Sequence, residues 1–410
     1  MGDVLITGVT LPSGVVTDLG IQGSHLVEPD TLVRPRRIAA AGLIALPGLV
    51  DLHTHLREPS PQPAETMASG TAAAARGGFT AVFAMANTDP VTDTAAAVED
   101  VRRLAQGTSA EVVPVGAITA GLGGRVLADI KGMATAGVRY FCDDGRCVMD
   151  AAVMRAALLA VGGGGLVGQH CQDHDLAAAD GTVWPAVAES VIVARDVQLA
   201  RDTGTPLHLC HISTAESVEI IRWAKARHVP VSAEVTPHHL LLDTALTTTG
   251  DTAYKVNPPL RGEADRAALR QGLAEGTIDI VATDHAPHLA TDKARPYAEA
   301  KPGMIGLEYA LGVVMACLVE PGLMTWEGVA ETLSYRPARL GRIAGHQGRP
   351  LRPGEPATLT LVDPARRRVI DKDASLSLGR NNPYHGLDLP DPVVGTFWAG
   401  RPTYLSPALG

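Results

Sequence analysis

From Leu49 onward, short apolar runs of strand length alternate with Ala-rich segments whose apolar residues recur at helical spacing. The runs at 49–56, 80–86, 111–118, 138–144, 165–171, 206–212, 229–235 and 278–284 predict eight strands. Between and after them, 64–76, 95–105, 150–161, 185–202, 214–226, 263–274 and 306–318 predict helices; only the stretch after the third strand lacks a clear pattern. Eight strands each followed by a crossover is the arithmetic of a (β/α)8 TIM-type barrel. A doubly wound open sheet is disfavoured, because no dinucleotide-type Gly fingerprint follows the first strand. Residues 1–48 and 346–410 read differently, as short β runs broken by Gly, Pro and Asp. The expected organisation is a barrel over 49–345 and a small β-sandwich domain assembled from both chain ends.

Composition narrows the function. The net charge is −9 without a basic tract, which argues against nucleic acid and anionic membrane as partners. No run approaches the ~20 apolar residues of a membrane span, and the N-terminus has no signal-peptide pattern. Five cysteines without disulfide-dense spacing fit a reducing compartment, so a cytoplasmic protein is expected.

In such a barrel the chemistry lies at the C-terminal ends of the strands. Strand one ends His53-Thr54-His55, strand four Cys142-Asp143-Asp144, strand five His170-Cys171, strand six at His211 and strand eight Asp284-His285. Four histidines and at least two carboxylates suit a binuclear zinc centre, with one or two Zn2+ per chain. Asp284 is the candidate to take a proton from an activated water and pass it to a departing nitrogen. The implied reaction is hydrolysis of an amide-like C–N bond, or its reverse. By strand alternation His208 is expected to face the helices, opposite His211, and Cys171 and Cys210 to point away from their ligand neighbours. His238 and His239 read as structural or supporting residues, and 289–303 as a lid or a surface loop.

Seven motifs carry a family resemblance. They are His53-x-His55 with Leu56-Arg57-Glu58-Pro59, Gly77-Gly78-Phe79-Thr80, Met85-Ala86-Asn87-Thr88, Asp143-Asp144-Gly145, Glu234-Val235-Thr236-Pro237-His238-His239, Asn257-Pro258-Pro259-Leu260-Arg261 and Ala282-Thr283-Asp284-His285-Ala286-Pro287-His288. In this order they resemble the bacterial type I dihydroorotases of the amidohydrolase superfamily, across nearly the whole chain. The resemblance implies that His53 and His55 hold the more buried metal and His170 and His211 the other. It favours Asp144 over Asp143 as the bridge, where many relatives use a lysine that this strand lacks. Asp284 matches a metal-bound general base. Arg57 and Asn87, helped by His288, match residues that grip the substrate carboxylate, and Asn257 lies where the pyrimidine ring is read. Two departures stand out: Ala86 replaces the usual proline before Asn87, and Gln172 follows Cys171 where acidic residues are common.

The expected activity is therefore dihydroorotase, the reversible cyclisation of N-carbamoyl-L-aspartate to L-dihydroorotate in pyrimidine synthesis. Alternatives are allantoinase or another cyclic amidase, or a non-catalytic partner of aspartate transcarbamoylase; that partner would be expected to have lost ligands retained here. Expected partners are the small-molecule substrate and further copies of the chain. A complex with aspartate transcarbamoylase is compatible with an active enzyme.

Overall fold

The computed structural model describes residues 2–176 and 184–409. Eight parallel strands form the central barrel: β1 (Leu49–Thr54), β2 (Phe79–Ala84), β3 (Glu111–Pro114), β4 (Tyr140–Cys142), β5 (Leu166–His170), β6 (Leu207–Cys210), β7 (Val231–Val235) and β8 (Ile280–Val281). Strands β1–β3 and β4–β8 form two continuous sheets. Bridges Gly116–Phe141 and Thr54–His285 join them on both sides, so the barrel closes. Val50, Leu52, Ala81, Phe83, Tyr140 and Leu166 are among the residues that pack its interior.

The helices begin where the sequence offers a capping oxygen. Thr66, Thr94, Asp150 and Thr214 each accept from a backbone N–H in the first turn of Met67–Arg76, Ala95–Leu104, Ala151–Val161 and Ala215–Lys225. Their apolar sides cover the barrel, and the small Ala73, Ala74 and Ala75 are fully buried there. The indistinct stretch after β3 contains one short helix, Ile130–Thr135. Helical turns from Trp326 to Leu340 lie against the N-terminal end of the barrel, where Ser334 Oγ donates to Gly48 O at 2.7 Å and Ala338 joins the interior core.

Both chain ends enter one eight-stranded sheet. It runs Arg401–Leu405, Val393–Trp398, Leu359–Val362, Ile44–Pro47, Val4–Thr10, Val16–Gln22, His25–Val27, with Arg36–Ala39 also paired to Val4–Thr10. The two ends meet antiparallel, Leu359 opposite Pro47. The outer strand bonds back to the segment before Leu359 (Leu26 N to Glu355 O, 2.8 Å; Ala357 N to Ser24 O, 2.9 Å). The sheet thus curls over a core including Ile6, Ile21, Leu26, Leu359 and Phe397. At the junction with the barrel, a Cβ on Gly77 would lie 2.0 Å from Leu307 O, and Gly78 has φ +90°. Only glycines fit that Gly77-Gly78 turn.

Candidate metal centre

Two ligand-bearing residues leave extended geometry at the barrel mouth: His211 and Asp284 have φ of 36° and 46°. Such a turn costs about 1–3 kcal/mol for a non-glycine residue and redirects its side chain. Within β6, His208 and Cys210 point into the barrel, and the turn at His211 swings that ring back over the mouth. The expectation that His208 faces the helices is therefore corrected: it is buried inside the barrel, its Nε2 3.0 Å from Glu234 Oε2. Cys210 also lies inside, beneath His53 and near Glu234.

The turns bring six side chains from five strand ends together. Asp144 Oδ1 lies 3.2 Å from His53 Nε2, 3.4 Å from His170 Nδ1 and 3.3 Å from His211 Nε2. Its Oδ2 lies 3.1 Å from His55 Nε2. Asp284 Oδ1 stands 3.0 Å from His55 Nε2 and 3.5 Å from His53 Nε2. Two ligand groups result, His53, His55, Asp144 and Asp284 in one and Asp144, His170 and His211 in the other, each with its ligand atoms within 4.8 Å of one another. Asp144 belongs to both. Asp143 belongs to neither: its Oδ1 accepts from Ile118 N (2.7 Å) and Thr119 N (3.0 Å), and its Oδ2 from the Thr119 hydroxyl.

The surroundings aim the rings. His53 Nδ1 is held by Glu234 Oε1 at 2.5 Å, His55 Nδ1 by Asn87 Oδ1 at 2.9 Å and His170 Nε2 by Gln172 Oε1 at 3.1 Å. Each contact occupies the ring nitrogen turned away from the carboxylates and leaves the other free to bind a cation. His53 Nε2, fully buried, faces the Asp144 and Asp284 carboxylates. Burial opposes charge on His53, yet Asp144 and Glu234 outweigh it and hold its imidazole well above the usual value. Burial would likewise raise Asp144 and Asp284, but the neighbouring imidazoles hold both carboxyls far below the ordinary range. Protons thus sit where imidazoles and carboxylates converge, in positions that divalent cations fit by both geometry and donor chemistry.

The other sequence candidates stand around this cluster. A cavity of about 200 Å3 is lined by Arg57, Asn87, Asn257 and His288 together with His55, Asp144, His170, His211 and Asp284. A second chamber of about 320 Å3 shares Arg57, Asn87 and His288. Arg57 donates Nε to Pro287 O at 3.1 Å, and its Nη atoms have no partner among the described residues. Asn87 also donates Nδ2 to Asp144 O at 3.3 Å, so the missing proline leaves it anchored at both ends. Asn257 and Gln172 form a reciprocal amide pair (2.8 and 2.6 Å), which a ligand read by Asn257 must open. His288 Nε2 donates to Pro302 O at 2.7 Å; burial and Arg57 push its pKa down to about 3, so the ring is neutral.

The 289–303 segment packs across the mouth. Lys293 Nζ donates to the carbonyls of Lys255, Lys301 and Gly303, and Lys255 Nζ to those of Tyr297 and Ala298. Two contacts outside the sequence-derived set hold the rim from the C-terminal segment. Asn381 Nδ2 donates to Ala286 O (2.8 Å) and Gly303 O (3.0 Å), while its Oδ1 accepts from His288 N (3.2 Å). Buried Glu65 binds His285 Nε2 at 3.2 Å, Leu378 N at 3.1 Å and the Ser377 hydroxyl. Below the cluster, Asp51 Oδ1 accepts from His53 N (3.0 Å) and Thr283 N (3.1 Å), and burial lifts its pKa to about 7. His239 is a structural residue on Thr236 Oγ1 and Pro258 O, whereas His238 is buried with both ring nitrogens unpartnered.

Residues 42–217 match the family model described as dihydro-orotase-like. The chain is 51% identical to a dihydroorotase of Streptomyces coelicolor, over 98% of this chain and 94% of that protein. It is 47% identical to a dihydroorotase of Mycobacterium tuberculosis, over 93% and 91%. Its fold is shared with L-hydantoinase (dihydropyrimidinase) from Arthrobacter aurescens, at TM-score 0.89 and 23% identity over 99% and 97% of the two chains. Dihydropyrimidinase from Brevibacillus agri matches at TM-score 0.88 and 21% identity, over 98% and 95%. The chain belongs to the dihydroorotase family.

Proposed function

We propose that this chain is a metal-dependent dihydroorotase that interconverts L-dihydroorotate and N-carbamoyl-L-aspartate in de novo pyrimidine synthesis. The observation that carries the reading is the placement of Asp144, within 3.4 Å of ligand nitrogens from both histidine pairs. The imidazole and carboxylate donors suit zinc, one or two ions per chain. When bound, the metal supplies an acidified water and a polarised carbonyl.

The chain's own residues do the rest. Arg57 presents its two free Nη groups to the substrate carboxylate as a bidentate partner. Asn87 and His288 border the same cavity and fix the ring's position, and Asn257 reads its polar edge. Asp284, kept ionised by His53 and His55, takes the proton of the attacking water. The ring C–N bond breaks as that proton reaches the departing nitrogen. In the cyclising direction Asp284 takes the proton from the attacking nitrogen and gives it to the departing hydroxide, which leaves as water.

Residues 1–48 with 346–410 constitute one domain and 49–345 the catalytic one. No helix among the described residues is long and apolar enough to cross a membrane. We place the protein in the cytoplasm as a homo-oligomer, with aspartate transcarbamoylase as a candidate partner. The deciding assay follows both reaction directions after chelation and after zinc readdition, with hydantoin and allantoin as controls. Loss and recovery of dihydroorotate turnover is expected; metal-independent turnover, or turnover of the controls alone, would refute the reading.

A further inference from the structure

Among the described residues, a charged group holds the outer ring nitrogen of His53 alone of the ligand histidines. Asn87 and Gln172 are neutral amides, and each supports the ring of one ligand. Glu234 Oε1 lies 2.5 Å from His53 Nδ1 and also accepts from the main-chain N–H of His211 at 3.2 Å. Its Oε2 meets His208 Nε2 at 3.0 Å, and His208 Nδ1 meets Ser232 Oγ at 2.8 Å. Glu234, His53 and His208 are fully buried, so water cannot substitute for any of these contacts.

One carboxylate oxygen therefore touches both ligand groups, through the ring of His53 in one and the backbone of His211 in the other. The second contact falls where the chain turns left-handed, at φ 36°. That turn is what presents the His211 ring to Asp144. The Glu234 oxygen holds the N–H at the turn, and its charge favours the His53 tautomer with a free Nε2.

We propose that Glu234 is a positioning residue that couples the two metal positions, supporting one through its charge on the ring of His53 and the other through the hydrogen bond it accepts from His211 N. The proposal rests on the metal-centre reading above. Charge and geometry are separable. Glu234→Gln keeps an acceptor oxygen for His211 N and loses the charge opposite His53; Glu234→Ala loses both.

The test measures zinc bound per full-length chain at graded, chelator-buffered free zinc. Anomalous diffraction from zinc-loaded crystals assigns each position. Glu234→Ala is expected to weaken both positions ~10–100-fold, and Glu234→Gln only the position held by His53. Wild-type affinity in both variants, or loss in Glu234→Ala confined to the His53 position, would overturn the coupling while leaving the metal centre standing. If Glu234→Ala does not fold, Glu234→Gln decides alone: unchanged affinity at the His53 position overturns the proposal. A wild-type chain that takes up no zinc would remove the metal-centre reading and the proposal with it.

Discussion

Asp144 stands between His53 and His211, its Oδ1 3.2 Å from Nε2 of the first and 3.3 Å from Nε2 of the second. Its chain neighbour Asp143 points the other way, into the backbone N–H groups of Ile118 and Thr119. Two adjacent carboxylates thus have different work, and substitution separates them.

Asp144→Asn should lower bound zinc at both positions and abolish turnover, because one residue serves both ligand groups. Asp143→Asn should keep its metal and lose about 1–3 kcal/mol of stability, as one oxygen that accepts two backbone N–H groups becomes less able to do so. Metal analysis and denaturant unfolding read the two outcomes. Equal metal loss in both variants would contradict the division.

Asp284→Asn should cut kcat by about 100- to 10,000-fold while most of the metal stays bound. Side-by-side turnover and metal analysis check this. Unchanged kcat would refute its role as the base.

Arg57→Ala should reduce kcat/KM for dihydroorotate by about 100-fold, the loss of a charge-assisted bidentate contact. An uncharged cyclic amide should show little change. Equal losses for both substrates would count against the clamp.

Stability should fall on acidification. His288 titrates near 3 in the folded chain against an ordinary value of 6.5, and burial lowers His238 to about 4. At these two rings the unfolded chain binds more protons through that window, so their contribution to stability falls as pH drops from about 6.5 towards 3. His288→Gln should flatten part of the slope in urea titrations run at pH 7 and pH 5. An unchanged slope would mean that His288 carries no such cost.

Asn381→Ala should raise KM with a smaller change in kcat and no loss of metal. It frees Ala286 O, Gly303 O and His288 N at the rim and touches no ligand. Steady-state kinetics with metal analysis test it, and an unaltered KM would assign Asn381 to stability alone.

Much of the architecture was readable from period alone. Strands alternate and helices recur along this chain, and each observed barrel strand begins within two residues of its predicted start. At β6 and β8 the C-terminal limits were overextended because His211 and Asp284 adopt positive φ, which no hydrophobic pattern reports. The same turn defeated the alternation argument for His208. The supporting shell was legible only in part. Glu234 sits inside a quoted motif, as a carboxylate in the otherwise small and apolar run Val231–Val235, and that contrast was the available signal. Asn381 and Glu65 lie far in sequence from what they hold, and no local pattern marks them; Gln172 stands two residues from the His170 ring it holds and was visible only as a departure after Cys171.

The clasp made by Ser377, Leu378 and Asn381 carries an implication for how the protein matures. On a ribosome every proposed ligand emerges by Asp284, well before these three residues are synthesised. A nascent chain could gather its histidines and still lack the rim that seats a substrate. Competence to turn over pyrimidine precursors is thereby deferred until Asn381 has been translated, and a truncation that removes residues 377–381 would be felt first as poor substrate capture.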